Sequence, residues 1–110
     1  MHFVFSRKEP IIYKPKLINA KLLYSKYPNS FHLPSKVDID NLIIGDYVIV
    51  YDNDTLEHLW IRLGITQSKN MVGKIYSILS ENSKHECENL IYLKRNNICR
   101  ISKQKYINLY

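Results

Sequence analysis

The side chains that most often bind metals or act in catalysis are scattered along this chain. The best local cluster is His85, Glu86 and Cys87, with Cys99 on a later segment, and it lacks the spacing of zinc motifs. The four histidines are His2, His32, His58 and His85. None lies four residues from another, whereas a metal site needs several ligands that converge at short range. We therefore predict no metal and no cofactor.

Motifs of covalent catalysis and of phosphate binding are absent as well. The chain contains no GxSxG elbow, no GxGxxG loop and no GxxxxGKS loop. Asp38, Asp40 and Asp46 stand in a loop-forming segment, and Asp52 and Asp54 stand in a turn, where aspartate bonds its own backbone. The sequence thus predicts a protein that is not an enzyme and has no catalytic residue.

The composition is that of one small basic domain. The chain has 110 residues, a formal net charge of +6 and 45% hydrophobic residues, which suits a single core. No stretch approaches the ~20 apolar residues that span a bilayer, and we find no signal-peptide pattern. With only two cysteines we expect a cytoplasmic protein that does not act at a membrane. The charge favours an acidic partner, either another protein or a nucleic acid, and leaves the oligomeric state open.

The hydrophobic pattern predicts one helix followed by a run of strands. Leu17, Ala20 and Tyr24 recur at helical spacing, which indicates a helix over 17–27 that ends before Pro28. The predicted strands are 47–51, 57–65, 71–79, 90–93 and 98–101, the last two joined as a hairpin across 94–97. Gly73 within the third strand indicates a bulge or a close backbone approach.

These elements predict an α+β fold in a single domain. One N-terminal helix packs on a curved antiparallel sheet of about five strands, which can form a partly open barrel. The predicted segments are an extended arm at 1–16 with an edge strand at Phe3–Phe5, helix and loop at 17–35, sheet at 36–101 and a basic tail at 102–110.

The second predicted strand has two different faces. Its aliphatic face comprises Leu59, Ile61 and Leu63, and its other face comprises His58, Trp60 and Arg62. If the helix covers the aliphatic face, the face with Trp60 is free to bind a partner, and it also holds the best candidates for an enzyme site. If the helix covers Trp60, that residue is core. We favour the core position, because the only tryptophan of a small domain is often its packing centre.

Basic and aromatic residues are interleaved near the C-terminus. The candidate binding residues there are Tyr92, Lys94, Arg95, Arg100, Lys103 and Tyr106. Cations and rings together suit single-stranded nucleic acid, in which phosphates pair with the cations and bases stack on the rings. The alternative, which we favour, is that the lysines keep edge strands soluble. The nine tyrosines are also typical of protein-binding surfaces.

The central segment resembles the YegJ-like domains of unknown function, a family of small bacterial domains. The matching positions are Pro28, Ser30, Phe31, Leu33, Pro34, Ser35, Leu42, Gly45, Asp46, Val48, Glu57, Trp60, Ile61 and Leu63. Further similarity runs through 72–82 and 89–101, although Glu88 and Asn89 stand where the family has Gly-Asp. The resemblance implies a small α+β domain of accessory or immunity-like setting and no established reaction or cofactor.

We therefore expect a non-catalytic protein-binding module of a bacterium or its phage, immunity- or inhibitor-like, that binds an acidic protein. The alternative is a basic nucleic-acid-binding module that uses the C-terminal hairpin and tail.

Overall fold

The computed structural model describes residues 11–66, 70–78 and 83–103. Its helices are α1 (Ala20–Lys26), α2 (Lys36–Asp40) and a 3₁₀-helix (Arg95–Asn97). Its strands are β1 (Ile12–Tyr13), β2 (Tyr47–Tyr51), β3 (His58–Ile65), β4 (Asn70–Ile78), β5 (Leu90–Lys94) and β6 (Arg100–Ser102). The fold is α+β, as predicted. The predicted edge strand at Phe3–Phe5 and the tail from 104 onward, with Tyr106, lie outside the described residues.

The six strands form one open sheet in the order β1-β5-β4-β3-β2-β6. Every pairing is antiparallel except that of β1 with β5. The strand that was not predicted is β1, which lies in the segment predicted as an extended arm. There, Ile12 pairs with Leu90 and Tyr13 with Ile91 at one edge of the sheet.

The predicted hairpin of β5 and β6 is wrong, because three other strands lie between them in the sheet. After Lys94 the chain enters the 3₁₀-helix, and the Asn97 side chain accepts a hydrogen bond from the Lys94 amide at 2.8 Å. The Cys99 amide then donates to the Ile49 carbonyl at 2.9 Å, which starts the pairing with β2. Four strand spacings measure about 19 Å, whereas this short connection reaches only about 16 Å. The connection is therefore shorter than the span of a flat sheet with this strand order.

Two helices replace the single one predicted. Helix α1 begins at Ala20, three residues later than predicted, because the Asn19 side chain caps it by accepting from the Lys21 amide at 2.8 Å. Residues 17 and 18 are extended instead, and the Ile18 amide donates to the Tyr51 carbonyl at 2.9 Å. Helix α2 falls within the segment predicted as loop.

The cap of α2 explains why that segment is helical. The Ser35 side chain accepts from the Asp38 amide at 3.1 Å, and Asp38 lies in the first turn. Serine followed three residues later by an acidic residue is a helix-start signature. The signal was present in the sequence at Ser35, in the middle of the stretch 29–41 that we predicted as loop.

Alternation along the strands builds the main core on one face, which we call the inner face. Its fully packed members are Val48, Val50, Leu59, Ile61, Leu63, Met71, Ile75, Ile91 and Leu93. A β-carbon at Gly73 would clash with the Ile61 side chain and lie 2.9 Å from the Arg62 carbonyl oxygen. The predicted close approach at Gly73 is thereby confirmed, and it lets β4 pack tightly against β3.

A smaller cluster lies on the opposite, outer face, where α1 packs. Its buried residues are Ile18, Ala20, Leu23 and Cys99, with Phe31 and Tyr51 against them. Trp60 belongs to neither core cluster and is only half-buried. Our preference for Trp60 as the packing centre is wrong, because α1 packs beside Tyr51 and Cys99 and leaves Trp60 uncovered.

Within the described ranges, none of the helices has the length and apolar character that a membrane span requires.

Candidate functional site

A groove of about 450 Å³ lies on the outer face, and we call it the aromatic groove. It is lined by Ser30, Phe31, His32, Ile49, Tyr51, His58, Trp60, Cys99 and Arg100. The strand register explains the floor. Ile49 of β2 pairs with Trp60 on one side and with Arg100 on the other, so these three side chains form one row across the sheet.

The next row holds the aromatic centre of the groove. Tyr51 pairs with His58 across β2 and β3, and their rings meet edge to face with centroids 5.5 Å apart. Phe31, from the segment after α1, contacts Tyr51 in the same manner at 5.4 Å. Trp60 packs against Tyr47 at 6.3 Å. Such ring pairs fix one another in orientation, so the groove wall is preformed.

The groove has a positive electrostatic character. None of its described lining residues is Asp or Glu, and the exposed Arg100 stands at one end. Burial raises the pKa of Tyr51, and the charge of Cys99 when ionised adds to this, while the positive charge of Arg100 opposes it. A ligand with a negative charge therefore fits better than a cation.

Cys99 forms part of the groove wall and does not act as a nucleophile. Burial raises the pKa of its thiol to about 11, and its Sγ donates to the Asn97 carbonyl at 3.5 Å. Since the thiolate is the reactive form, this cysteine is inert at neutral pH.

His58 carries a buried polar atom beside the groove. Its Nε2 has no hydrogen-bond partner in the described part of the chain. A buried polar atom that lacks a partner costs about 1–3 kcal/mol. Since this nitrogen has no exposed surface, it is not itself a contact for a molecule bound in the groove.

The structure divides those predicted binding residues that it describes into four groups. His58, Trp60 and Arg100 meet in the aromatic groove. Arg62 is exposed on the same face, one pair beyond the groove, opposite Tyr47. Tyr92 and Lys94 lie on β5, three strands away from β6.

The remaining two predicted cations hold the fold together. Arg95 donates from Nη1 to the Ile39 carbonyl and from Nη2 to the Thr66 carbonyl, both at 3.2 Å. Lys103 pairs with the buried carboxylate of Asp46 and donates to the Asn41 carbonyl at 3.1 Å. Neither is free to serve as a general cation for a partner.

The residues that complete the groove were missed from the sequence. Ser30, Phe31 and His32 follow α1 and reach the outer face only because that helix packs beside Tyr51. Alternation in β2 would have placed Tyr51 on the Trp60 face once the register was known. The sequence held no signal for the path of 30–32.

Apart from the groove, a cluster of polar side chains forms around Asp52, where β2 ends. The fully buried carboxylate of Asp52 accepts from the Asp54 and Thr55 amides at 2.8 and 3.0 Å, which confirms the predicted turn. His85 Nε2 lies 2.7 Å from its Oδ2, and Lys84 Nζ lies 3.3 Å away. Burial alone would raise the pKa of Asp52, but these bonds outweigh it and hold the pKa well below its usual range.

The Asp52 cluster ties the segment before β5 to the turn after β2. Nowhere in 11–66, 70–78 and 83–103 do three or more His, Cys, Asp or Glu side chains converge as a metal site would require. Its hydrogen bonds account for all of its members, so we assign it a structural role.

Comparison with known proteins gives the chain no relative. No protein-family model, no curated protein and no solved structure matches it.

Proposed function

We propose that this protein is a non-catalytic binding module that takes an acidic segment of another protein into the aromatic groove. The observation that carries the proposal is the groove itself, which combines a preformed aromatic wall and the exposed Arg100 with no carboxylate among its described lining residues. Its volume of about 450 Å³ is in the range of sites that hold a small ligand or a few side chains of a peptide.

Each part of the groove has a role in this proposal. An apolar or aromatic side chain of the partner packs against Trp60 and Phe31 and gains buried area. A neighbouring carboxylate pairs with the Arg100 guanidinium, which suits carboxylates because it can donate two parallel hydrogen bonds.

A protein segment is favoured over single-stranded nucleic acid at this groove. Stacked bases need free ring faces, whereas Phe31 and His58 both pack edge to face with Tyr51. The predicted cluster of C-terminal cations is also dispersed, with Arg95 and Lys103 bound to the protein's own carbonyl and carboxylate groups.

The accessory role completes the proposal. A basic, tyrosine-rich module with this groove suits an immunity- or inhibitor-like protein of a bacterium or its phage, which is the setting that the YegJ-like resemblance implies. We also propose that curvature brings the sheet close to a partly open barrel whose outer surface carries the groove.

Selection from a random peptide library displayed on phage tests the proposal. The wild-type protein is the bait, and a folded double variant, Trp60→Ser with Arg100→Gln, removes peptides that bind elsewhere. We expect enrichment of sequences in which an aromatic or aliphatic residue adjoins Asp or Glu.

Two results would contradict the proposal. The first is no enrichment against the double variant. The second is enrichment of basic peptides, since these would be repelled by Arg100. Circular dichroism of the double variant provides the control that its fold is intact.

A further inference from the structure

A second cavity lies towards the edge of the sheet formed by β1, and two lysines line it. It measures about 380 Å³ and borders β5, and its lining includes Lys14, Tyr92 and Lys94 together with Asn70 and Asn97. We call it the lysine pocket. Within the part of the chain that the structure describes, no Asp or Glu lines this pocket.

The lysine pocket is built around an ordered cation. Lys14 Nζ lies over the Tyr92 ring, 5.4 Å from its centroid. A cation–π contact of this kind restricts a side chain that is otherwise mobile. Part of the entropy cost of placing a charge against an anion has therefore been met before the anion arrives.

The second cation of the pocket has a fixed backbone. The Lys94 amide donates to Asn97 Oδ1 at 2.8 Å, and Asn97 Nδ2 donates to the Ile18 carbonyl at 3.2 Å. Lys94 thus leaves a rigid point at the end of β5, and it lines the cavity together with Lys14.

We propose that the lysine pocket binds a phosphate group of a nucleotide unit. Two lysine ammonium groups present compact point charges that suit phosphate. The phenol of Tyr92 offers a hydrogen bond to the sugar or base. The cavity has room for one nucleotide.

Two sources of that phosphate share this chemistry, a free nucleotide and the backbone of a single strand. No described residue lines both the lysine pocket and the aromatic groove, so they are distinct sites. The two sites can be tested independently.

The test is fluorescence anisotropy of a labelled oligothymidylate of roughly twelve nucleotides at about 50 and 200 mM salt. We expect binding by the wild-type chain that weakens with salt. The double variant Lys14→Gln with Lys94→Gln should lose at least about tenfold in affinity, and its log–log salt slope should fall by about 1.4, as expected for two lost phosphate contacts.

A charge-matched control separates the pocket from the overall field of the protein. Lys21→Gln with Lys26→Gln removes two exposed lysines from α1 and leaves the pocket intact. This variant should keep its affinity within about twofold. Tyr92→Phe should also bind, whereas Tyr92→Leu should weaken binding by about twofold to fivefold through loss of the cation–π contact.

Competition identifies the source and exposes a false positive. Adenosine monophosphate that displaces the probe identifies a free nucleotide as the ligand, and displacement by unlabelled oligonucleotide alone identifies a strand. The proposal is overturned if no binding occurs at the lower salt, if the α1 control loses as much as the pocket variant, or if polyglutamate competes equally well.

Discussion

The two faces of β3 differ in how completely they are packed. On the inner face Leu59, Ile61 and Leu63 are at most 1% exposed. On the outer face His58 and Trp60 are half-buried and Arg62 is exposed, although all are side chains of the same strand. The inner face is filled by the protein's own residues, whereas the outer face keeps rings, a cation and an unpartnered nitrogen. Stability and binding are therefore expected to depend on different residues of one strand.

The largest effect should come from the inner face. Ile61→Ala removes a fully buried side chain that packs against Gly73, and it should lower the free energy of unfolding by about 2–4 kcal/mol. Urea unfolding followed by circular dichroism measures this. A loss below about 1 kcal/mol would mean that the inner face is not the core.

The buried end of β2 should give the next largest effect. Asp52→Asn weakens the bonds to His85 and Lys84, and it should cost about 1–3 kcal/mol at neutral pH. Burial would raise the Asp52 pKa, but its hydrogen bonds lower it, so its contribution is complete above the unfolded-state pKa of about 3.9. That contribution is lost as the pH falls below this value through the folded-state pKa.

Urea midpoints from neutral pH down to acid check the pH dependence. The wild-type chain should lose stability below a pH of about 4 more steeply than Asp52→Asn. Parallel curves for the two proteins would show that Asp52 is not a charged partner in the folded state.

The outer face should behave in the opposite way to the inner face. Trp60→Ala should cost only about 1 kcal/mol of stability, because the side chain is half-buried. It should nevertheless abolish binding of peptides selected on the wild-type groove. A loss of stability as large as that of Ile61→Ala would place Trp60 in the core and remove the distinction between the faces.

The turn that joins β2 to β3 should show the smallest effect on stability. Leu56 has a φ of 59°, a left-handed conformation that asparagine adopts more readily than leucine. Leu56→Asn should therefore raise stability by about 0.5 kcal/mol while leaving peptide affinity unchanged. A clear destabilisation in the same urea assay would show that the half-exposed leucine contributes more through packing than it loses in strain.

Local patterns in the sequence predicted much of the sheet. Alternation predicted the bounds of β2 and the two faces of β3. The absence of a side chain predicted the tight packing at Gly73, and the tendency of aspartate to bond its own backbone predicted the turn at Asp52. These features depend on residues close together in the chain or on one strand pairing with the next.

The features that were missed depend on distant residues. The Asn97 side chain directs β5 away from β6 through bonds to Lys94 and Ile18, and 79 residues separate Asn97 from Ile18. Phe31 enters the groove only after α1 has packed. His58, Trp60 and Arg100 were therefore predicted as candidates, while the groove that unites them could not be.

The most direct test of the central claim uses Trp60 as its own reporter, since it is the only tryptophan in the chain. A library-selected acidic peptide is titrated into the wild-type protein and into two charge-matched variants of the outer face, Arg100→Gln and Arg62→Gln. We expect a saturable change in Trp60 emission, retained by Arg62→Gln and weakened about tenfold or more in Arg100→Gln through loss of a charged hydrogen bond. An unchanged emission, or an equal loss in both variants, would contradict the account.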